Sequence, residues 1–294
     1  MLTVKRFRRR PAMGTSWLAL MLLIPALALG AEAFTPFGSL QQRLVKDGFS
    51  PAYIQRLYAD PRAGFDKRGV SLYFVHRESS LNYDQFLNAA PIAKARQYMA
   101  DHAEALTRAE RRYGVDREVI TAIALVETRL GTYVGKRAVF NTLSTMAALA
   151  DTAVRNRLWA DVSGDTRLSR TAFEDKARSK AGWAYNELRA FLTYVGTEEG
   201  LDPLEIQGSY AGAMGICQFM PSNIGKLAAD GNGDGRINLF NHDDAIMSIA
   251  SYLNHYGWYR GIPEDGAYKA VYRYNHSRYY VNTILEIRRV LRKT

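Results

Sequence analysis

In the stretch DREVITAIALVETRLG, residues 116 to 131, Val119, Ile120, Ile123 and Ala124 mark one apolar helix face, and the next position on that face is Glu127. A carboxylate among apolar neighbours is costly to ionise, so its proton affinity rises and it can act as a general acid near neutral pH. Glycosidic cleavage needs such a group to protonate the departing oxygen. Periodicity alone favours another reading, a glutamate that salt-bridges Arg129 or another arginine and ties two helices together. Its place at a helix end, beside the flexible GTYVG segment, favours a cleft. A hydrolase using paired carboxylates requires a second acid roughly 5 to 10 Å away. None occurs between Glu127 and Asp151, which leaves a partner from distant sequence open.

Three further stretches carry polar chemistry. DGNGDGRINLFN has the D-x-N-x-D-G spacing of a calcium loop, with oxygens from Asp230, Asn232 and Asp234, a turn at Gly235 and the carbonyl of Arg236. Asn241 stands where the usual bidentate glutamate would be, so a metal-free turn is the competing reading and any ion is expected to be weakly held and structural. In GSYAGAMGICQFMPSN, the small residues Gly208, Ser209, Ala211, Gly212, Ala213 and Gly215 permit close backbone approach, either to a ligand or to packed neighbours. Gln218 adds an amide, Met214 and Phe219 read as packing, and Cys217 as a small core residue. YNHSRYY offers the amide of Asn275 and the rings of Tyr274 and Tyr280 as surfaces for sugar rings, with His276 outside the chemistry.

These residues require rigid elements to hold them. PAYIQRLYAD reads as a short helix and VSLYFVHRE, from Val70 to Glu78, as a strand. Pro91 to Gly114 reads as one long helix, opened by proline and closed by glycine. The helix bearing Glu127 has Asp116 as N-cap, Glu118 in the first turn, Arg129 in the last and Gly131 as stop. Another helix buries Ala184, Leu188, Phe191, Leu192 and Val195. Residues 201 to 241 are rich in Gly, Asp, Asn and Pro, predicting loops and a small hairpin. DDAIMSIASYLNHYG returns to helix with Ile246, Ile249, Ala250 and Leu253 in phase, and VNTILEIRRVLRKT is a terminal amphipathic helix. The outline is a mainly α (α+β) protein with a loop-rich insert at 201–245.

The 294 residues, 47% hydrophobic, suffice for one large or two modest cores. Residues 1–33 read as a signal peptide cleaved near Ala33: a basic start, an apolar run from Trp17 to Gly30 shorter than the roughly 20 residues of a spanning helix, then Ala31-Glu32-Ala33. No cysteine lies near that point, so a lipoprotein is not expected. The net charge is +10; without the leader's five Lys/Arg and one Glu it is +6, a moderate excess that suits an anionic polymer. The dense basic run lies in the leader, so nucleic acid is not the expected partner. A single cysteine excludes an internal disulfide.

Taken in order, VETRLGTYVGK, VFNTLSTMA, DPLEIQGSYAGAMGICQFMPSN, DGNGDGRINLFNHDDAI and YNHSRYYV resemble the successive signatures of the lytic murein transglycosylase B family, over roughly Ala93 to Ile287. The resemblance implies a lysozyme-like core at 91–294, with 34–90 packing on it. It implies a periplasmic enzyme that breaks the MurNAc–GlcNAc bond of peptidoglycan without water and without a catalytic cofactor. Glu127 would protonate the leaving oxygen, then take the proton of the muramic C6 hydroxyl as that oxygen attacks C1, giving a 1,6-anhydro end. Ser209 and Gln218 would line the sugar cleft, with Ser209 hydrogen-bonding Glu127, and Asp244 would complete a structural calcium site. Implied partners are glycan strands and cell-wall synthesis proteins. The competing readings are a muramidase acting on the same bond and a noncatalytic wall-binding protein.

Overall fold

The computed structural model describes residues 35–75, 82–198 and 200–293, so the leader and its cleavage point lie outside the described residues. The chain begins with α1 (Gly38–Lys46), α2 (Pro51–Ala59) and α3 (Lys67–Val75). Proline in the first turn and the Ser50 side chain accepting the Tyr53 amide start α2. The strand expected from Val70 is instead helix α3, as far as it is described. Asp66 Oδ1 accepts the Gly69 amide at 2.9 Å, as an N-cap does, and Val70 and Phe74, one helical turn apart, are both buried. A short apolar run fits either period, and the cap decides it.

The long helix expected over Pro91 to Gly114 is two, α4 (Ala89–Asp101) and α5 (Ala103–Tyr113), broken at His102 with φ −111° and ψ 26°. The break brings the His102 ring into a stack on His242, 4.6 Å between centroids. Gly114 ends α5 at φ 67°, as its position predicts. Next comes α6 (Arg117–Thr128). Its apolar face is sealed, with Val119, Ile120, Ile123 and Ala124 at 0% exposure. Asp116 occupies the N-cap position but caps nothing; its carboxylate accepts Arg288 Nε at 2.9 Å and Arg292 Nη2 at 2.6 Å. The charged partners outcompete the neutral amides for those oxygens.

Two helices the periodicity did not single out, α7 (Val139–Ala148) and α8 (Thr152–Val162), lead into α9 (Arg170–Thr197), whose 28 residues pack along α7. Its expected face, from Ala184 to Val195, is buried. The loop region holds β2 (Gln207–Gly208), paired antiparallel with β1 (Arg137–Ala138), and α10 (Pro221–Leu227). The chain closes with α11 (His242–His255), α12 (Glu264–Tyr274) and α13 (Arg278–Arg292). Helices α4, α11 and α13 pack around α6. The N-terminal helices join the same core through Tyr58 and Ser144, 2.9 Å apart, and through Tyr185 donating to Asp47 at 2.8 Å. No helix among the described residues is long and apolar enough to cross a membrane.

Candidate active site

Glu127 is the penultimate residue of α6 and is half-buried, so the expectation of an acid withdrawn from water is met in part. The next residue anchors the helix end. Thr128 Oγ1 donates to the Ile216 carbonyl at 2.9 Å and accepts the Gly131 amide at 3.0 Å, tying α6 to the glycine-rich loop. The helix therefore stops earlier than expected, with Arg129 beyond its last turn at φ 51°, and the Arg129 guanidinium donates to Gln85 Oε1 at 3.2 Å. Thr128 was missed at the sequence level, although a hydroxyl beside an acid at a helix end is a readable signal.

The group that reaches the acid comes from α13. Tyr280 donates its hydroxyl to Glu127 Oε1 at 2.6 Å. The Tyr280 side chain is 1% exposed, so it is not the sugar-stacking surface expected of it. Burial first, and then the neighbouring Glu127 charge, push that phenol well above its usual range, so it stays a donor. Tyr83 lies edge-on to Tyr280 at 6.2 Å. Tyr274 donates to the Cys217 carbonyl at 2.6 Å, and burial holds it protonated too. Among the described residues, Glu127 is the one carboxylate whose charge bears on these two phenols.

The loop residues sort differently from their sequence roles. Ser209 Oγ accepts the Ala211 and Ala213 amides at 3.2 and 3.1 Å and so shapes its own loop. Gln218, at φ 50°, donates Nε2 to the Val134 and Gly215 carbonyls at 3.0 and 2.9 Å, and its side-chain oxygen has no hydrogen-bond partner among the described residues. Asn275 closes α12, and its side-chain amide has no hydrogen-bond partner among the described residues. The small residues serve packing: a Cβ at Gly208 would lie 2.1 Å from the Ala213 carbonyl oxygen, and one at Gly215 2.4 Å from Leu239 Cβ. Met214, Cys217 and Phe219 are buried, and the Cys217 thiol is pushed up to about 12, which removes it as a nucleophile.

The family model of the transglycosylase SLT domain matches residues 34–266. The chain belongs to that family. Over 160 residues it is 36% identical to membrane-bound lytic murein transglycosylase B of Escherichia coli K12, covering 54% of this chain and 37% of the relative, so it spans little more than a third of that relative. The crystal structure of soluble lytic transglycosylase SltB1 from Pseudomonas aeruginosa is 26% identical, with a TM-score of 0.67 over 86% of this chain and 97% of the other. SltB3 from the same organism, solved in complex with NAG-anhNAM-pentapeptide, shares the fold at 19% identity, TM-score 0.68, over 87% and 78%. The mainly helical, lysozyme-like architecture is thus that of its relatives.

In this SLT-domain chain the Asp/Asn/Gly loop runs between α10 and α11. Asp230 accepts the Gly233 and Gly235 amides at 2.6 and 2.8 Å, which lowers its pKa. Asp234 Oδ1 accepts the Arg236 amide at 2.8 Å. Asp244, 1% exposed, accepts the Gly231 and Asn238 amides at 2.8 and 2.7 Å. Asn241, standing in for the missing glutamate, caps α11 through the Asp243 amide. The donor set is all oxygen and suits a hard cation, yet among the described residues no three His, Cys, Asp or Glu converge to hold a metal. The carboxylates are turned to the loop's own amides.

Proposed function

We propose that this chain is a lytic transglycosylase of peptidoglycan. In this reading it cleaves the β-1,4 bond between MurNAc and GlcNAc without water, leaving 1,6-anhydro-MurNAc ends. The observation that carries it is the half-buried Glu127 at the tip of α6, held from α13 by the Tyr280 hydroxyl at 2.6 Å. Family membership and the name of the E. coli relative support the substrate class.

Protonated Glu127 gives its proton to the glycosidic oxygen as positive charge grows at C1. The resulting carboxylate takes the muramic C6 hydroxyl proton, and that oxygen closes on C1 of its own ring. Proton and bond counts balance with no further reactant. Tyr280 fixes one carboxylate oxygen so that the other faces the linkage, while the side-chain oxygen of Gln218 and the amide of Asn275 are the groups available to sugar N–H and O–H. Asp230, Asn232, Asp234, the Arg236 carbonyl and Asp244 would hold a structural calcium ion, which has no part in the bond chemistry. The leader pattern supports export and action on the periplasmic wall.

Purified cell wall digested by the protein should release anhydro-muropeptides, read by mass spectrometry. Products heavier by one water would make it a muramidase. Glu127→Gln should lower turnover by about 10²–10⁴-fold; unchanged release in that variant would refute the assignment.

A further inference from the structure

The turn between α11 and α12 gathers side chains that glycan cleavage does not use. Among the described residues five large apolar side chains are exposed, and two of them, Tyr256 at 37% and Tyr259 at 55%, sit in this one turn. Trp258 between them is 1% exposed, with the Arg288 guanidinium 5.0 Å over its ring, so the turn is pinned to the core. Asn254 Nδ2 donates to the Trp258 carbonyl at 3.2 Å and to the Tyr113 carbonyl at 3.1 Å, which fastens the end of α5 to the same turn. The two stretches touch at Gly114, where a Cβ would lie 3.1 Å from the Arg260 amide nitrogen.

Three arginines lie at this junction, Arg111 and Arg112 in the last turn of α5 and Arg260 in the facing loop. All three are exposed, and none has a carboxylate partner among the described residues. The acids nearby are engaged: Glu110 accepts Arg117 Nε and Asp116 accepts Arg288 Nε, both at 2.9 Å. From Tyr252 to Pro263 the chain carries no acidic residue, and Glu264, which follows, lines a hollow with Arg288, Arg289 and Arg292. The Tyr259 hydroxyl likewise has no hydrogen-bond partner among the described residues.

We infer that this face, Tyr256, Tyr259 and Arg260 with Arg111 and Arg112, docks the protein reversibly on an anionic lipid bilayer. The arginines supply charge complementary to lipid phosphates, and a tyrosine ring, apolar in its body and polar at its tip, suits the headgroup level. Charges drawn from two elements around an exposed turn match a planar array of phosphates better than a single carboxylate. The turn is already held by Trp258 and Asn254, so little ordering is needed on contact. Helix α6 rises roughly 16 Å from Asp116, beside this face, to Glu127. Docking therefore leaves the acid at the far end of that helix free, and it does not depend on what Glu127 does.

Co-sedimentation with vesicles of about one-third phosphatidylglycerol in phosphatidylcholine tests this, against vesicles of phosphatidylcholine alone. The protein should bind the anionic vesicles selectively, and less as salt rises. Each arginine at such a surface contributes about fivefold, so Arg111→Gln with Arg112→Gln should weaken binding by about 10- to 25-fold, and Tyr259→Ser should weaken it severalfold. Arg167→Gln with Lys226→Gln, which removes the same charge from exposed residues of other elements, should leave binding within about twofold. Equal binding to the two kinds of vesicle, or equal loss in the two double variants, overturns the proposal. Capture on polyglutamate as strong as on the vesicles identifies an acidic protein as the occupant and overturns it too. Release from purified, lipid-free cell wall should be unchanged in the Arg111/Arg112 variant; a loss there would assign these arginines to the wall polymer instead.

Discussion

The bond between Tyr280 and Glu127 joins side chains 153 positions apart in sequence, and it is the point at which the proposed chemistry is most exposed to a single change. Tyr280→Phe keeps the ring and its packing but removes the donor to the carboxylate. Hydrogen bonds to charged groups contribute about 1.5–3 kcal/mol, so turnover of cell wall should fall by about tenfold or more while the fold persists by circular dichroism. An unchanged rate would detach the tyrosine from the acid's positioning. Glu127 itself was legible because it interrupts an otherwise unbroken apolar face. Tyr280 was singled out within YNHSRYY, but one tyrosine among 18 carries no sign of what its hydroxyl meets. Its reading as a sugar platform assumed exposure, which spacing cannot supply, and burial converts the same residue into a donor aimed at the acid.

Elements were read most securely where the apolar period was unbroken, as in α6, α11 and α13. They failed where a capping group or a tertiary contact overrode the pattern. Asp66 turned an apparent strand into α3, and His102 interrupted a helix whose ends, Pro91 and Gly114, gave no hint of a break. At that break Tyr98 of α4 bonds His242 Nδ1 at 3.1 Å, and His102 stacks on His242, whose neighbour Asp243 pairs with Arg108 of α5 at 2.6 Å. Burial foremost, with a contribution from His102, lowers the His242 pKa below 6.5, against the opposing pull of Asp243. The unfolded chain therefore binds this proton at a higher pH than the folded one. Stability from this site is present above about pH 6.5 and is lost as pH falls toward the folded value. Thermal melts at pH 7.5 and 5.5 should show acid destabilisation that is smaller in His242→Gln, and equal losses in both proteins would remove His242 as its source.

For the molecule as a whole, the predominance of helix and the loop-rich insert were legible. The insert's role was less so, because a spacing of oxygens gives their number and not their orientation. Asp230 and Asp244 each accept two backbone amides, so the turn closes without an ion, and calcium would add to a formed loop. The stabilisation then follows mass action, about 2.7 kcal/mol at a free concentration 100 times Kd. At roughly 2–4 °C per kcal/mol for a chain of this size, that is a rise in melting temperature of about 5–10 °C, reversed by a chelator. Asp234→Ala leaves the amide bonds of Asp230 and Asp244 in place and should abolish the rise. A melting temperature indifferent to millimolar calcium would identify the loop as a metal-free cap on α11. In either case a chelator added well below the melting temperature should leave bond cleavage at its full rate, because the proton passes between Glu127 and the sugar alone; a loss of activity there would place the ion in the chemistry and overturn the single-acid mechanism.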